Sequence, residues 1–387
     1  MSGRKPVNRQ VVVIFGASSG IGRASALLFA RKGATVVAAA RSDEGLDTLV
    51  HEIGQSGGEI TALVADATHF EDVKRVADTA VSRYGRIDTW VHCAAVTIYA
   101  TFADTTVEEF RQIVDTNLFG TIHAAKAALP YLAESHGTFV PVTSVEALVA
   151  LPFQSAYSAS KHAVHGFLQA LRLELTKAGS PVRVAEIQPV STDTALFEKA
   201  KTKLGVQPQG LPPVHAPEKV AEVIVHAAVH PSPEIPVGAA GRLMGWGARM
   251  APRATEAVLE VVGFAGQKSA KPKSADAPNN LYRPLPETER VHGEQKGLVV
   301  ASSLLPWLFA GVAVGAAFAL ASRSGRSDGA SGTPPPTSNP SDSLSPSRYI
   351  QTAMVQPRRA DTINANEPLA SLPGPDGPEL DPEYQGS

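Results

Sequence analysis

The sequence is poor in cysteine and has no excess of either charge. Cys93 is the only cysteine among the 387 residues, so no disulfide can form within one chain and a reducing compartment is indicated. Lys and Arg number 35 and Asp and Glu number 37, which gives a formal net charge of −2. Without a basic excess, or a basic patch interleaved with aromatic residues, the sequence predicts no nucleic-acid partner.

The sequence also lacks the pattern of a metal site. His92 and Cys93 are adjacent, but no second pair of ligands follows them at a suitable spacing. The sequence therefore predicts no bound metal.

Apolar runs alternate with helical patterns through the first 240 residues. Such alternation, with helices of about 12 residues, indicates βαβ units and hence a doubly wound parallel sheet of the Rossmann-like α/β class. A long helix is predicted over residues 107–129, ending before Pro130, and another over 155–177. The predicted strands cover 11–15, 35–39, 60–64, 88–93, 138–143, 182–187 and 235–237.

The character of the chain changes after this domain, which spans residues 8–240. Residues 241–266 are predicted to form an accessory helical segment, and the polar, proline-containing residues 267–297 a linker. Residues 322–387 are rich in Ser, Pro, Gly and Asp, a composition that is typical of a disordered tail.

Between the linker and the tail lies a long apolar segment. Residues 298–321 form a stretch of 24 residues without a charge, long enough for one membrane-spanning helix. The alternative is a buried helix of the soluble domain. We expect a single-pass membrane protein whose catalytic domain lies in the cytoplasm. Residues 242–250, with Trp246, are either a membrane-surface helix or a core helix.

A glycine-rich turn joins the first predicted strand to the first helix. Gly16, Gly20 and Gly22 permit a tight turn and a close approach of the backbone to a pyrophosphate at the helix N-terminus. The alternative is a plain strand-to-helix turn. The flanking strand and helix favour a dinucleotide site that includes Ser18, Ser19 and Ile21.

The end of the second strand bears on the choice of cofactor. Dinucleotide sites for NAD usually place an acid here, where this sequence has Ala40 and Arg41. Arg41, together with Arg23, could bind a 2′-phosphate, so NADP is favoured over NAD; the alternative is two solvated arginines. Asp66, at the end of the third strand, is expected at the adenine edge or, alternatively, as a helix cap.

Three side chains able to handle a proton follow the strand that ends near residue 143. Tyr157 and Lys161 are spaced i, i+4, which places them on one face of a helix, and Ser144 precedes them. A nearby ammonium stabilises a phenolate and is expected to lower the pKa of Tyr157. The alternatives are a core tyrosine and a solvated helix lysine.

The glycine turn, Asn117, Ser144 and Tyr157-x-x-x-Lys161, in this order, resemble the short-chain dehydrogenase/reductase family over about residues 8–240. The resemblance implies that Tyr157 is the general acid/base, that Lys161 binds the nicotinamide ribose, that Ser144 binds the substrate oxygen, and that Asn117 supports a proton relay. It also implies pairing of subunits into a homo-oligomer. The cofactor site it implies comprises Gly16, Ser18, Ser19, Gly20, Ile21, Gly22, Arg41, Asp66, Ala67, Ala94, Tyr157, Lys161, Pro189 and Thr192.

Three positions depart from the family pattern. Phe15 replaces a threonine before the first loop glycine, Ala95 replaces a glycine after the fourth strand, and Val190 replaces a glycine after the sixth. The last two lie where the backbone approaches the cofactor. They leave room for an alternative function, a membrane-tethered dinucleotide-binding module without turnover.

The substrate side of the sequence is mostly apolar. We expect a pocket for an apolar ketone, aldehyde or secondary alcohol, although the same residues could belong to the core. The leading hypothesis is therefore an NADP-dependent oxidoreductase held at a membrane. The candidate wall residues are Leu148, Leu151, Phe153, Leu196 and Phe197.

Overall fold

The computed structural model describes residues 4–295 of the chain, and this part is built on one parallel sheet. Its apolar, β-branched runs form the strands expected of a sheet that is buried on both faces. The strands are β1 (Val11–Phe15), β2 (Thr35–Ala40), β3 (Ile60–Val64), β4 (Thr89–His92), β5 (Ile98–Tyr99), β6 (Thr138–Pro141), β7 (Arg183–Val184), β8 (Glu186–Gln188), β9 (Lys201–Thr202), β10 (Val206–Pro208), β11 (Glu234–Pro236) and β12 (Lys268–Pro272).

The helices connect these strands in the predicted alternation. They are α1 (Gly20–Arg31), α2 (Asp43–Gln55), α3 (Phe70–Tyr84), α4 (Val107–Val114), α5 (Gly120–Ser135), α6 (Ser155–Lys177), α7 (Leu196–Lys199), α8 (Pro217–Val229), α9 (Gly238–Met250) and α10 (Pro252–Gly266). A π-helical turn, Asp115–Phe119, lies between α4 and α5, and short 3-10 turns occupy Val7–Arg9, Val145–Ala147 and Pro286–Thr288.

The main sheet has the order β3-β2-β1-β4-β6-β7, and all of its pairs are parallel. It continues past β7, because the Ala185 amide donates to Phe139 O at 2.9 Å and the Thr143 amide to Ile187 O at 2.9 Å. Strand β11 then pairs in parallel with β8. The reversal of strand order beside β1 opens a crevice at the carboxyl ends of the strands, where such sheets bind ligands.

The sheet is covered on both faces, which confirms the doubly wound α/β prediction. Val12 and Ile14 face a cluster that includes Phe29 of α1 and Ile224 of α8. Alternate residues of the same strand, such as Val13, face the opposite cluster, which includes residues of α3, α5 and α6. Burial on both faces explains why the strand sequence is apolar without alternation.

The predicted helix 107–129 differs from the structure at both its middle and its end. The π-helical turn interrupts it, and α5 runs through Pro130 to Ser135. Proline removes one backbone donor, but the turn beyond it is held by the fully buried Leu132 and by Tyr131, whose hydroxyl donates to Asp78 at 2.9 Å. Tertiary packing thus offsets the local free-energy cost of a proline inside a helix.

The segment predicted as a linker, 267–297, is packed on the domain as far as the described residues reach. Strand β12 pairs antiparallel with β10. Leu281 is fully buried in a cluster with Ile98 and Ile113, and the Gln112 side chain donates to Leu281 O at 3.2 Å. Residues 280–295 therefore belong to the folded unit, because the buried Leu281 anchors a segment that is otherwise polar. This segment is called the strap below.

Helices α9 and α10 occupy the predicted accessory segment. Met244 and Ala248 of α9 pack against a cluster that contains Val145 and Leu259. On the opposite side, Trp246 is 65% exposed and Met250 66%, so α9 is a surface helix and not a buried core helix.

The predicted membrane segment, 298–321, and the predicted disordered tail, 322–387, lie outside the described residues. Among residues 4–295, no helix combines the length and the apolar character needed to span a bilayer.

Candidate active site at the carboxyl edge of the sheet

One cleft at the carboxyl edge of the sheet gathers nearly all of the candidate residues. Its space, including the part open to solvent, amounts to about 1530 Å³. Among the residues that the family resemblance implies, Asn117 lies behind the wall, which its neighbour Thr116 reaches. The candidates that line the cleft are Gly16, Ser18, Ser19, Gly20, Ile21, Gly22, Arg41, Asp66, Ala67, Ala94, Ser144, Tyr157, Lys161, Pro189 and Thr192.

Two glycines of the turn are required by close backbone packing. Gly16 has a φ of 88°, and a Cβ there would lie 2.7 Å from the backbone nitrogen of Ala94. A Cβ on Gly22 would lie 2.0 Å from Gly16 O. The turn is therefore tight, as is required of a loop whose backbone contacts a pyrophosphate.

The first turn of α1 faces the cleft with its amide groups. Helix geometry leaves the N–H groups of Ile21 and Gly22 without an acceptor four residues back, and the helix dipole favours an anion there. The Gly20 amide has a different partner, since it donates to Arg290 O of the strap at 2.9 Å. The turn thus forms an anion cradle, which is a set of N–H groups able to bind an anion, but the Gly20 amide does not take part in it.

The two arginines proposed for a 2′-phosphate have different surroundings. Arg23 is buried and donates to Gly45 O at 3.0 Å and to the Glu52 carboxylate at 3.0 Å. It is held between α1 and α2, so the predicted contribution of Arg23 to the phosphate is wrong. Arg41 lines the cleft and donates to Asn280 O at 2.8 Å and to Tyr282 O at 3.3 Å.

Asp66 lies at the cleft wall at the end of β3, as expected from its position in the sequence. Its Oδ1 accepts from the amide and from the hydroxyl of Thr68, both at 2.9 Å. The N-cap of α3 is His69, so Asp66 is not the cap of that helix. Its side chain fixes the turn that carries Ala67 to the same wall.

Tyr157 and Lys161 lie on one face of α6, directed to the cleft. The Lys161 Nζ is 5.4 Å from the centre of the Tyr157 ring and donates to Val142 O at 3.2 Å. Both residues are buried, and burial lowers the pKa of Lys161 to about 8. The spacing of i, i+4 therefore gives the predicted pair, but in a largely desolvated environment.

The pKa of Tyr157 moves in the direction opposite to the prediction. Burial raises the pKa of its phenol, the Glu146 carboxylate raises it further, and a hydrogen bond with Ser144 lowers it. The prediction that Lys161 lowers this pKa is wrong for the cofactor-free protein, because loss of hydration penalises the phenolate more than its surroundings stabilise it. Tyr157 is therefore protonated at neutral pH.

Ser144 and Asn117 reach the same region from two other elements. Ser144 follows β6, and its Oγ accepts from the Glu146 amide at 3.1 Å. Asn117 lies in the π-helical turn, fully buried, and its amide group donates to Val96 O at 3.0 Å and to Ser160 Oγ at 2.9 Å. Asn117 thus ties the segment after β4 to the helix of Tyr157, and π-helical turns often occur at functional sites.

Glu146 is a cleft residue that sequence reasoning missed. It is buried, lines the cleft, and accepts a hydrogen bond from the Ser158 hydroxyl at 2.7 Å. Burial raises the pKa of the Glu146 carboxyl to about 8. An acid two residues after Ser144, in an otherwise apolar stretch, was the signal available in the sequence.

Replacing Glu146 by Gln should stabilise the protein relative to wild type, and this gain in stability should become larger as the pH rises from 5 to 8. The pKa of Glu146 is about 8 in the folded protein against an ordinary 4.5, so its ionisation costs the wild type stability between those two pH values. We expect the melting temperature of Glu146→Gln to gain about 4 °C or more on wild type between pH 5 and pH 8.

The matched control is Glu134→Gln, which removes an exposed carboxylate on α5. Its difference from wild type should stay constant over the same pH range in thermal unfolding followed by circular dichroism. A Glu146→Gln difference that does not widen from pH 5 to pH 8 would contradict the raised pKa.

The three departures from the family pattern are accommodated by packing. Phe15 stacks on Trp90 with ring centres 6.4 Å apart, so its ring belongs to the core beneath the turn. Val190 is buried in the cluster of Val145 and Leu259. Ala95 and Val190 also line the cleft, which remains open beside them.

The predicted apolar wall divides into two groups. Leu151, Leu196 and Phe197 line the cleft as expected. Leu148 and Phe153 pack against the accessory helices instead: a Cβ on Gly245 would meet Leu148, and Phe153 contacts Phe264 edge to face at 5.1 Å. The sequence could not separate the groups, because α9 and α10 supply a second apolar surface.

In the part of the chain that the structure covers, no group of three His, Cys, Asp or Glu side chains is placed to hold a metal ion. Burial lowers the pKa of His92 to about 3 and raises the pKa of the Cys93 thiol to about 12. Both side chains are therefore uncharged at neutral pH.

Comparison with known proteins identifies similar sequences over the same region. The sequence model of the family described as short chain dehydrogenase matches residues 10–205. The chain is 36% identical over 281 residues to YxnA, an uncharacterized oxidoreductase of Bacillus subtilis, covering 72% of this chain and 79% of that protein. It is 36% identical over 225 residues to the 3-oxoacyl-(acyl-carrier-protein) reductase FabG of Thermotoga maritima, covering 57% of this chain and 90% of that protein.

Solved structures show the same fold. An alcohol dehydrogenase from the archaeon Thermococcus sibiricus, complexed with 5-hydroxy-NADP, aligns with a TM-score of 0.52 at 26% sequence identity. The alignment covers 59% of this chain and 95% of that chain.

Proposed function

The chain belongs to the short-chain dehydrogenase family, and from this premise we propose that it transfers hydride between NADP(H) and an apolar ketone, aldehyde or secondary alcohol. One observation carries the proposal. Ser144, Tyr157 and Lys161 share a single cleft with a glycine turn whose backbone is tight enough to receive a dinucleotide.

A nicotinamide cofactor fits the residues that are present. The glycine turn and the first turn of α1 form an anion cradle for the pyrophosphate, and Arg41 lies at the ribose end of the cleft. When bound, the cofactor supplies or accepts the hydride. The remaining chemistry, which is proton transfer and orientation of the substrate oxygen, falls to side chains of this chain.

Tyr157 is the general acid in this proposal. Because its pKa is raised, it holds a proton that it can give to the oxygen of a carbonyl group during reduction. The Ser144 hydroxyl lies beside Tyr157 and stabilises charge that develops on the same oxygen.

Lys161 and Asn117 have supporting roles. In this proposal the ammonium of Lys161, which lies 5.4 Å from the centre of the Tyr157 ring, holds a ribose hydroxyl and stabilises the phenolate that remains after Tyr157 gives up its proton. Asn117 fixes the backbone at Val96 and the helix at Ser160. It thereby keeps α6 in register with the cleft.

The preference for NADP rests on Arg41, now without help from Arg23. The planar guanidinium of an arginine at the end of β2 can donate two hydrogen bonds to the charged oxygens of a 2′-phosphate. The NADP analogue bound to the similar Thermococcus sibiricus enzyme supports the same choice.

Three further expectations stay predictions of the sequence. Attachment to a membrane concerns residues 298–321, outside the described part, and the cytoplasmic placement of the catalytic domain depends on it. Pairing into a homo-oligomer is implied by the family.

The direct test is a panel of apolar ketones and aldehydes, followed by the absorbance of NADPH and, in parallel, of NADH. We expect oxidation of NADPH with at least one carbonyl compound and slower oxidation of NADH, because Arg41 offers donors to a 2′-phosphate. Faster turnover with NADH would contradict the choice of cofactor. Tight binding of NADPH without turnover across the panel and its corresponding alcohols would favour the alternative, a dinucleotide-binding module.

A further inference from the structure

The strap, residues 280–295, runs along the part of the cleft that Arg41 lines. At its start, Leu281 is buried in the core and the Asn280 amide donates to Lys199 O at 2.8 Å. Further on, Arg290 O accepts from the Gly20 amide at 2.9 Å. At its end, the Gln295 amide donates to the Asp193 carboxylate at 2.9 Å. The strap is thus fixed at both ends and in the middle, and it forms an outer wall of the cleft.

The strap also orients the arginine assigned to the 2′-phosphate. Two of the five N–H donors of the Arg41 guanidinium are used by Asn280 O and Tyr282 O. The remaining donors have no hydrogen-bond acceptor among residues 4–295, and Arg41 lines the cleft in which a ligand would lie. The carbonyl groups of Asn280 and Tyr282, 239 and 241 residues away along the chain, therefore hold the planar guanidinium of Arg41 in place.

Two strap side chains that line the cleft carry buried acceptor atoms. Asn280 is 5% exposed and the Glu289 side chain is 5% exposed. Among residues 4–295, neither Asn280 Oδ1 nor Glu289 Oε2 has a hydrogen-bond partner. A buried acceptor without a donor is unfavourable, and such an atom at a cleft indicates a missing partner that donates.

The adenosine half of a dinucleotide offers the donors that these atoms lack. Its adenine amino group and its free ribose hydroxyl donate, whereas a phosphate only accepts. Glu289 packs close to the glycine turn and to the start of α2, the region where the adenosine of a dinucleotide is expected. A Cβ on Gly45, near the start of α2, would be 3.0 Å from Glu289 Cβ and 2.9 Å from Ser18 Cβ. Its carboxylate is balanced by Lys199, whose Nζ lies 3.8 Å away, so it does not present an isolated negative charge to a phosphate.

We infer that the strap is part of the cofactor site: its carbonyls position Arg41, and Asn280 and Glu289 accept hydrogen bonds from the adenosine of the dinucleotide. The inference rests on the proposed function only in taking the cleft as a dinucleotide site. It assigns binding residues to a segment whose composition is typical of a linker.

The test measures binding to the full chain by calorimetry, with 2′,5′-ADP as the adenosine probe, NADPH as the whole cofactor and nicotinamide mononucleotide as the other half. We expect Asn280→Ala and Glu289→Ala each to weaken 2′,5′-ADP and NADPH about tenfold, the effect of one lost hydrogen bond to a buried group. Affinity for nicotinamide mononucleotide should not change. Glu287→Ala is the matched control, because Glu287 is an exposed acid of the same strap.

A second readout separates binding from structure. Because Asn280 Oδ1 is an unsatisfied buried acceptor, Asn280→Ala should melt at the wild-type temperature or above it without ligand, while the rise in melting temperature caused by NADPH becomes smaller. A lower melting temperature without ligand, together with unchanged affinity, would make Asn280 a structural residue and overturn the inference.

Two other results would also overturn it. Unchanged affinity for 2′,5′-ADP in both variants would mean that the strap does not contact adenosine. Tighter binding in both variants would mean that the strap competes with the cofactor. Failure of the proposed function would be a separate result. If wild-type protein bound NADPH without turnover, hydride transfer would be rejected, but the affinities of the strap variants could still be compared with that of wild type.

Discussion

Tyr157→Phe should abolish turnover while NADPH still binds. The substitution removes only the phenolic hydroxyl, the group that carries the proton in the proposed reaction. A positioned general acid contributes about 10² to 10⁴ in rate, so kcat should fall by that factor. The buried ring keeps its packing, and the Kd for NADPH should stay within about twofold of wild type, a free-energy change well below the 1.4 kcal/mol of a tenfold effect.

The control for this experiment is Tyr131→Phe, the same chemical change outside the cleft. Tyr131 OH donates to Asp78 on the helical surface, so its loss should leave kcat unchanged. Turnover by Tyr157→Phe at more than a tenth of the wild-type rate would reject Tyr157 as the general acid. Stopped-flow NADPH absorbance for kcat and calorimetry for Kd separate chemistry from binding.

Gly22→Ala should prevent dinucleotide binding and strongly destabilise the protein. The added Cβ would lie 2.0 Å from Gly16 O. Gly16 O is a backbone atom and the backbone fixes the position of a Cβ, so neither atom can rotate away. Overpacking of a rigid site costs about 1–3 kcal/mol and sometimes more, so we expect a melting temperature about 2–12 °C below wild type. The turn that forms the anion cradle must shift, which removes the close approach of the backbone to the pyrophosphate.

Gly54→Ala provides the matched control, since Gly54 lies in helix α2 with nothing within 4 Å of an added Cβ. Alanine is about 1 kcal/mol more favourable than glycine within a helix, so this variant should melt at or above the wild-type temperature. It should bind NADPH normally in calorimetry. A Gly22→Ala protein as stable as Gly54→Ala, with NADPH affinity intact, would contradict the packing of the turn.

The local patterns of the sequence were sufficient for the sheet and for the pairing of Tyr157 with Lys161. Apolar β-branched runs predict strands buried on both faces, and the alternation with helices predicts their parallel arrangement. A spacing of four residues places two side chains on one helix face whatever surrounds the helix. The glycine turn could be read partly for the same reason, because Gly22 is required by Gly16, six residues earlier, whereas Gly16 itself is required by the distant Ala94.

Properties that depend on distant neighbours were not predicted. Arg23 and Arg41 look alike in the sequence, yet Arg23 is buried beside Glu52 and Arg41 contacts the strap. The pKa of Tyr157 is raised and not lowered, because its burial is a property of the folded protein. Pro130 continues its helix, since the packing of Leu132 offsets the missing hydrogen bond.

The sequence by itself thus determined the α/β fold, the glycine turn and the placement of Tyr157 and Lys161 on one helix face, all of which are set by periodicity and short-range spacing. The tertiary structure alone decided the electrostatics of the cleft and the composition of its walls. Burial and long-range hydrogen bonds fix both, as in the contact of Arg41 with a carbonyl 239 residues along the chain. Composition marked residues 280–295 as part of a linker, and only the fold shows that Asn280, Pro284 and Glu289 of this segment line the cleft.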